Sequence, residues 1–491
     1  MHPYESDSLR ARLRHEHSVL AEVAERAFAR ASDAPLVGGN AVRLLRDAGE
    51  NYPAWLAAIR SATRSIMLEC YIVADDEVGH QFLDALTERA LAGVQVRVIY
   101  DWLGSFRGRR MWERLRHAGA EVRAFNVPRL DEPFGWITRD HRKMLAVDGC
   151  LGYVSGLCIG SQWNGDPGRG IEPWRDTGVE IRGPAVLALE SAFAQTWAGT
   201  GSPLGEEAFT PAQPSPAGEV ALRVVAGMPT NAGMFRVDQL ICAIARERLW
   251  LTDAYFVGVT PYVRALCAAA HDGVDVRLLV PGASDLPVIS RLSRTGYRPL
   301  LEAGVRVFEW NGSMLHAKTA VADGRWARVG STNLNIASWV SNYELDVAIE
   351  DLDTATEMEA MFEKDLSNAT EIVLGRHKRM TASQHRHGKR AFSGSATRAA
   401  AGALTMGSAF SAALGKKRVL EPAEAASLAT IAAVMCMLGL IALFWPRVIA
   451  IPVFLLCLWV GLAMLWRALK LRTKRDMSTK LSPENDRRTG P

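Results

Sequence analysis

The chain has 491 residues, of which 48% are hydrophobic, and its formal net charge is only +4. This length allows about three domains, and so small a net charge excludes a polyelectrolyte chain. The seven cysteines are scattered without a C-x-x-C pair, so the sequence predicts neither a zinc site nor a disulfide framework and fits a reducing compartment. The first residues lack the apolar core of a signal peptide, and none is expected.

Residues 1–36 are rich in charge and predict one amphipathic helix. Between about Ser8 and Arg30, apolar side chains recur at helical spacing. Such a helix can pack on the body of the protein or lie on a membrane surface, and the pattern leaves both interpretations open.

Residues 37–205 alternate between predicted helices and predicted strands. Helices are predicted over Tyr52–Thr63, Val78–Ala92 and Met111–His117, and strands over Ser65–Ile72, Val94–Tyr100 and Glu121–Phe125. This alternation predicts an α/β fold with a largely parallel sheet that is covered by helices on both faces.

Residues 206–375 repeat the same order. Helices are predicted over Gln239–Arg248 and Pro261–His271, and strands over Leu249–Phe256, Val274–Val280 and Val305–Trp310. The local sequences also match, since Ala-Gly-Val-Gln-Val-Arg-Val at 92–98 resembles Asp-Gly-Val-Asp-Val-Arg-Leu at 272–278. A proline-rich linker from Gly199 to Gly218 separates the two halves. The sequence therefore predicts a long internal duplication.

One motif, H-x-K-x-x-x-x-D-G, occurs once in each half. The first copy contains His141, Lys143 and Asp148, and the second contains His316, Lys318 and Asp323. Each copy lies on an apolar alternating run that predicts a strand, where residues two apart share a face. The His and Lys of each copy can then serve one anionic group, the Lys as a fixed donor and the His as nucleophile or proton donor. The aspartate completes the catalytic motif, although its place before glycine favours a structural role in a turn.

Two copies of one half-site predict that the halves pack about a pseudo-twofold axis and bring both motifs to one pocket. One neutral His would attack phosphorus and form a phosphohistidine, while the other would protonate the leaving alcohol and then deprotonate the incoming one. Two Lys and two His can neutralise a phosphate, so neither a metal nor another cofactor is expected.

Further side chains are candidates to support this pocket. Asp176 and Glu344 each begin a predicted strand about thirty residues after a motif histidine, where they could orient the two histidines or lie exposed on the surface. Ser331 and Asn333 follow the second motif and could bind the phosphate.

The composition changes after residue 375. Residues 376–426 are basic, with no acidic residue before Glu421, and predict either a solvated linker or a segment attracted to anionic lipid. The apolar tract 427–466 predicts a transmembrane helical hairpin with spans Ser427–Trp445 and Val448–Trp466, or alternatively a soluble hairpin docked on the body. Basic residues flank both ends, which places the body on the cytoplasmic side, and residues 467–491 form a polar basic tail.

With its twin HKD motifs, the sequence resembles the phospholipase D superfamily and, more narrowly, the bacterial cardiolipin synthases. The resemblance extends from about Val37 to Leu374. It includes less specific short motifs such as Asp-Ala-Tyr-Phe at 253–256 and Gly-Ser-Thr-Asn at 330–333. Cys158 departs from the family pattern, because it stands where the first half usually has Asn, and a thiol is a weaker donor than an amide. The position of the predicted membrane anchor also differs from the family pattern, because the predicted spans are C-terminal here, whereas many relatives carry N-terminal spans.

The resemblance implies two phospholipase D-like half-domains and a transferase that moves a phosphatidyl group to phosphatidylglycerol. The donor would be phosphatidylglycerol or phosphatidylethanolamine, His141 the nucleophile and His316 the acid/base. A hydrolytic phospholipase D is the alternative, since water and an alcohol can use the same phospho-enzyme. A phosphodiesterase acting on nucleic acid fits the basic residues but not the predicted spans, so no nucleic-acid partner is expected. A non-catalytic lipid-binding scaffold has only Cys158 in its favour. The expected location is the bacterial inner membrane.

Overall fold

The computed structural model describes residues 23–128, 138–209, 214–229, 231–374 and 446–480. Within these ranges, both predicted α/β halves belong to one compact unit. Residues 126–128 and 446–480 belong to a second unit, which is described separately below.

The first unit is built on a sheet of fifteen strands among the described residues. The strands of the first half are β1 Val37–Arg46, β2 Ser65–Cys70, β3 Gln95–Asp101, β4 Glu121–Phe125, β5 Lys143–Val147, β6 Leu151–Ser155 and β7 Thr177–Arg182. Those of the second half are β8 Val220–Gly227, β9 Arg248–Thr252, β10 Asp275–Pro281, β11 Arg306–Trp310, β12 Thr319–Ala322, β13 Trp326–Gly330, β14 Glu344–Glu350 and β15 Ala369–Ile372.

Helices precede, connect and flank these strands. They are α1 at 23–32, α2 Asp47–Ser61, α3 Glu77–Leu91, α4 Arg109–His117, α5 Ser161–Asn164, α6 Val186–Gly199, α7 Gly233–Ile244, α8 Thr260–His271, α9 Pro287–Thr295, α10 Tyr297–Glu302, α11 Ile336–Val340 and α12 Leu352–Leu366. Short 3-10 turns occur at Phe106–Gly108, Pro167–Arg169 and Glu206–Ala208.

The two halves have the same strand order, which confirms the predicted duplication. The sheet runs β15-β11-β10-β9-β12-β13-β14-β8-β1-β7-β6-β5-β2-β3-β4, so β1 and β8 join the halves at its centre. The strands β2, β3 and β4 are parallel, as are β9, β10 and β11, whereas the strands between them are antiparallel. The prediction of a largely parallel sheet is therefore wrong for the centre. The short turns from β5 to β6 and from β12 to β13 can join only antiparallel neighbours.

Three apolar clusters hold this unit together. One packs the outer helices of the first half through side chains such as Trp55, and another packs those of the second half through side chains such as Phe235. The third cluster contains buried residues of both halves, including Phe193 of α6 and Phe362 of α12. Because the halves share this core, the same edge of each half is held at a common surface.

Helix α1 packs on the catalytic body. Phe28 is buried in the cluster of the second half, and Glu25 accepts a hydrogen bond from the buried Arg223 at 3.1 Å. These contacts favour the packed interpretation for the described part of the predicted N-terminal helix, whereas residues 8–22 lie outside the described residues.

The second unit contains α13, Pro446–Lys480, which begins between the two predicted spans. Several of its apolar side chains are exposed, among them Phe454 and Trp466. No helix in the described part of the chain combines the length and hydropathy that a membrane crossing requires. The predicted span Val448–Trp466 falls within α13 and is not confirmed, while the span Ser427–Trp445 and the linker 376–426 lie outside the described residues.

Candidate active site

The two motif histidines lie where the halves exchange backbone hydrogen bonds. The N–H of His141 donates to the carbonyl of Tyr343 at 2.9 Å, and the N–H of His316 donates to the carbonyl of Arg175 at 2.7 Å. In each case the acceptor is the residue before a candidate carboxylate of the opposite half. The backbone thus fixes each histidine beside an acid that lies far away in the sequence.

The carboxylate contacts are crossed between the halves. His141 Nδ1 lies 2.9 Å and 3.1 Å from the two carboxylate oxygens of Glu344, and His316 Nδ1 lies 2.7 Å from Asp176 Oδ2. Both acids are buried, so they are not exposed strand acids. Each histidine therefore receives the acid of the other half, whereas the sequence had suggested one acid for each half from local spacing.

The surroundings of both histidines favour the neutral form of the ring at pH 7. Burial, which disfavours the charged ring, lowers the pKa of His141 and lowers the pKa of His316 to about 3. Burial alone would raise the pKa of Asp176 and of Glu344, but the paired histidine and the nearby lysine hold both below their usual values. In each pair the Nδ1 proton is therefore donated to the ionised acid, which leaves Nε2 with the lone pair.

The two lysines bring positive charge to the same place. Each ammonium donates to the carbonyl of its own motif histidine, and Lys318 Nζ also lies 3.0 Å from both ring nitrogens of His316. Burial lowers the pKa of Lys318 to about 8, so most of it remains protonated at pH 7. Tyr71 and Tyr255 pack beside Lys143 and Lys318, with ring centroids 5.3 Å and 5.8 Å from the ammonium nitrogens. The arrangement can hold one phosphodiester between two cations and two imidazoles.

Only part of each motif lies on a strand. Strand β5 begins at Lys143 and β12 begins at Thr319, so both histidines and Lys318 precede the strands on which they were predicted. The chain leaves the sheet at these points because the histidine N–H groups bond to the opposite half rather than to a neighbouring strand. The expectation that His and Lys share a strand face is wrong, although they lie together.

The motif aspartates lie at the other ends of these strands and do not contact the histidines or lysines. Asp148 accepts backbone hydrogen bonds of 2.8–2.9 Å from Thr63, Arg64 and Ser65. Asp323 accepts bonds of 2.8–2.9 Å from the three successive N–H groups of residues 246–248. This geometry favours the structural role over a catalytic one, because Asp148 and Asp323 tie the turn after their own strand to the start of the neighbouring strand.

Asp148→Ala is expected to lower the free energy of unfolding by about 2–4 kcal/mol, because three N–H groups lose a charged acceptor. The residue also has φ 53°, where alanine is strained and asparagine is tolerated, so Asp148→Asn should lose less than half as much. The hydrogen bonds lower the pKa of Asp148 against the effect of burial, so its contribution is present above an unfolded pKa of about 4 and is lost on acidification. Urea unfolding at pH 7 measures the difference, and equal losses in both variants would contradict it.

The residues predicted to bind phosphate have protein partners in this structure. The Ser331 hydroxyl donates to Glu344 Oε2 at 2.6 Å, and the Asn342 amide donates to Glu344 Oε1 at 3.2 Å. The Asn333 amide nitrogen lies 3.4 Å from the Ser338 hydroxyl, and its buried amide oxygen has no hydrogen-bond partner among the described residues. Ser331 thus steadies the acid that orients His141, and a phosphate contact for Ser331 or Asn333 stays a prediction.

The two lysines face different groups across the sheet. Cys70 is the pairing partner of Lys143, and the buried thiols of Cys70 and Cys158 shift each other's pKa. In the second half, the register of β9 with β12 ends at Thr252 opposite Thr319, and the adjacent residues Asp253 and Lys318 attract each other electrostatically. Burial raises the pKa of Asp253 to about 7. The departure at Cys158 therefore belongs to a larger asymmetry, in which a thiol pair replaces a carboxyl group beside the first lysine.

Sequence reasoning missed the aromatic walls of the site. The ring of His141 lies 5.1 Å from that of Tyr71, and the ring of His316 lies within 6 Å of the rings of Trp163, Trp174 and Tyr255. Trp174 stands two residues before Asp176, a proximity that could have drawn attention to it. In the part of the chain that the structure describes, no cluster of three or more His, Cys, Asp or Glu side chains could hold a metal ion.

Comparison with known proteins identifies similar sequences over most of the catalytic body. Residues 55–197 and 240–366 match the family described as "Cardiolipin synthase, PLD-like domain". Cardiolipin synthase A of Pseudomonas aeruginosa is 36% identical over 355 residues, which cover 71% of this chain and 71% of that protein. Cardiolipin synthase of Halalkalibacterium halodurans is 32% identical over 355 residues, covering 70% of this chain and 69% of that protein.

A solved structure shares the fold. Phosphatidylserine synthase of Haemophilus influenzae aligns with 71% of this chain and 91% of its own, with a TM-score of 0.55. The sequence identity is 15%, so this likeness concerns the fold alone.

Proposed function

The chain belongs to the cardiolipin synthase family of phospholipase D-like proteins, and from this premise we propose that it transfers a phosphatidyl group to a hydroxyl of phosphatidylglycerol. The observation that carries this proposal is the crossed pair of histidine–carboxylate contacts, with a lysine beside each histidine. This arrangement supplies a nucleophile, an acid/base and two cations around one phosphodiester.

The reaction proceeds in two displacements at phosphorus. Nε2 of His141 attacks phosphorus and forms a P–N bond, while the P–O bond to the donor head group breaks and His316 gives its proton to the departing oxygen. A hydroxyl of phosphatidylglycerol then enters and loses its proton to His316. Its oxygen attacks phosphorus, the P–N bond breaks, and His141 is restored. The assignment of His141 as nucleophile follows the resemblance to the family.

Substrate binding allows His316 to take up from solvent the proton that the first step requires. Burial and the charge of Lys318 both lower the pKa of His316, which favours the neutral ring. A bound phosphodiester neutralises part of that charge and adds a negative charge near the ring, and both effects raise the pKa of His316. Asp176, which is ionised and hydrogen-bonded to Nδ1, stabilises the imidazolium that forms. The two histidines thus hold opposite protonation states only in the complex.

Purified full-length protein with phosphatidylglycerol vesicles is expected to form cardiolipin and glycerol in equal amounts, measured by thin-layer chromatography and mass spectrometry. Transfer should exceed hydrolysis, because an acceptor lipid bound in the site would give its hydroxyl a high effective concentration at phosphorus. Release of ethanolamine on addition of phosphatidylethanolamine would identify a second donor. Formation of phosphatidic acid without cardiolipin would contradict the proposal and establish the alternative, a hydrolytic phospholipase D.

We further propose that the C-terminal region holds the enzyme at the bacterial inner membrane, with the catalytic body on the cytoplasmic side. The exposed apolar side chains of α13 and the predicted hairpin over 427–466 support attachment, and the flanking basic residues support this orientation. In spheroplasts, externally added protease should leave the body intact, and digestion of the body would refute this orientation.

A further inference from the structure

Two equivalent segments expose apolar side chains beside the site. In the first half, residues 102–110 follow β3, and Leu103 and Phe106 are 44% and 59% exposed. In the second half, residues 284–298 follow the equivalent strand β10, and Leu286 and Leu292 are 48% and 50% exposed. Single exposed apolar residues are ordinary, but their recurrence at equivalent places in both halves points to a common surface.

Both segments are joined to the catalytic histidines through tyrosines. The Ser105 hydroxyl donates to the carbonyl of Tyr71 at 3.1 Å, and the ring of Tyr71 packs 5.1 Å from His141. In the other half, the Tyr255 hydroxyl donates to Asp285 at 2.9 Å, and its ring lies 5.9 Å from His316. The exposed apolar residues therefore flank the site on the edge of the sheet where the histidines lie.

The charge of these segments complements an anionic surface. Residues 102–110 contain three arginines and no acid, and residues 284–298 contain three arginines and one acid. In the second segment, Arg294 and Arg298 pair with Glu309 and Glu302. Basic side chains interspersed with exposed apolar ones fit the interface of an anionic phospholipid bilayer.

The burial of the histidines makes such contact necessary for a lipid substrate. His141 is only 11% and His316 only 6% exposed in their side chains. The phosphate of a diacyl lipid lies at the boundary of the hydrocarbon layer, so this edge of the protein must enter the head-group layer for the phosphate to reach Nε2. The segments that flank the site then meet the interface on either side of it.

We infer that residues 102–110 and 284–298 form a paired bilayer-contacting surface, through which the catalytic body docks on anionic phospholipid and admits its substrate. This inference rests on the proposed function for the identity of the substrate. Leu103 and Leu286 contribute apolar contact on the two sides of the site, and the arginines of the first segment contribute attraction to the lipid head groups.

Hydrogen exchange of the full-length protein tests the surface independently of turnover. In phosphatidylglycerol nanodiscs, amides of 102–110 and 284–298 should exchange at least about threefold more slowly than in phosphatidylcholine nanodiscs, because the anionic bilayer attracts the basic segments. The control is the end of α3 around Leu91, which is 72% exposed at the opposite edge and should exchange equally in both. Equal exchange of both segments in the two lipids would overturn the inference.

Matched variants test its consequence for catalysis. The double variant Leu103→Asp and Leu286→Asp places charge where apolar contact is needed, so its activity on phosphatidylglycerol vesicles should fall about tenfold or more. Its activity on monomeric short-chain phosphatidylglycerol should change less than about twofold, because that substrate does not require contact with a bilayer. Leu91→Asp with Leu352→Asp, at the opposite edge, should leave both activities unchanged. Equal loss on both substrates, or no loss on vesicles, would overturn the inference. If the unaltered protein makes no cardiolipin from either substrate, the proposed function fails, while the exchange measurement still decides the surface.

Discussion

His141→Ala and His316→Ala are each expected to lower cardiolipin formation from phosphatidylglycerol vesicles by at least about a thousandfold, the upper range for loss of a nucleophile or an acid/base. Both rings are held against an ionised acid and beside a lysine, so no neighbouring side chain can take their place. The control is His271→Ala, at the exposed end of α8, which should retain full activity. A motif variant with more than about a tenth of normal activity would contradict the account.

The two histidine variants are expected to differ with an activated substrate. A phosphodiester with a nitrophenol leaving group needs no proton on departure, because the phenolate is stable at pH 7. His316→Ala should therefore still form the phospho-enzyme and release one equivalent of nitrophenol, whereas His141→Ala should release none. A burst from His141→Ala but not from His316→Ala would reverse the assigned roles.

Glu344→Gln and Asp176→Asn are each expected to lower the rate of transfer by about 10²- to 10⁴-fold, the range for disabling an acid/base group. Each substitution keeps the shape of the side chain but removes the charge that stabilises the paired imidazolium and fixes the Nδ1 proton. The matched control is Glu371→Gln, which removes the charge of a surface partner of Arg306. It should change the rate less than about twofold, because an exposed ion pair contributes little.

The pH profiles of these variants distinguish orientation from general damage. Asp176 raises the pKa of His316, so its removal lowers that pKa further, and the protonated acid then forms only at lower pH. The optimum of Asp176→Asn should accordingly move to lower pH. A uniform loss of rate with an unchanged profile would indicate that the carboxylate serves only to support the fold.

The sequence predicted the histidines and lysines of the candidate site, but it revealed neither the aromatic walls nor the connections between the halves. Twin H-x-K motifs identified His141, Lys143, His316 and Lys318, and the strand order confirms the duplication that the repeated elements predicted. Local spacing could not show that Glu344 serves the first histidine, because the pairing arises from the packing of one half against the other. The alternation of apolar residues likewise predicted strands that include both histidines. Their backbone N–H groups instead donate to carbonyl groups of the opposite half.

The asymmetry between the half-sites was visible only in part. Cys158 stands where the second half has Asn333, and this difference can be found by comparing the repeats. Cys70 and Asp253 became recognisable as counterparts only when the registers of β2 with β5 and of β9 with β12 were known. A sequence pattern gives the order of residues along a strand, whereas the residue opposite a lysine depends on which strand pairs with it and in which register.

The central claim is that one site, built by both halves, passes a phosphatidyl group through His141 to phosphatidylglycerol. The most direct measurement uses full-length protein and phosphatidylglycerol vesicles labelled on phosphorus, quenched during turnover and digested for peptide mapping. The account predicts an acid-labile phosphatidyl label on the peptide that contains His141, together with cardiolipin and glycerol in equal amounts. Cardiolipin formation with no label on either motif histidine, or with the label on His316, would contradict it.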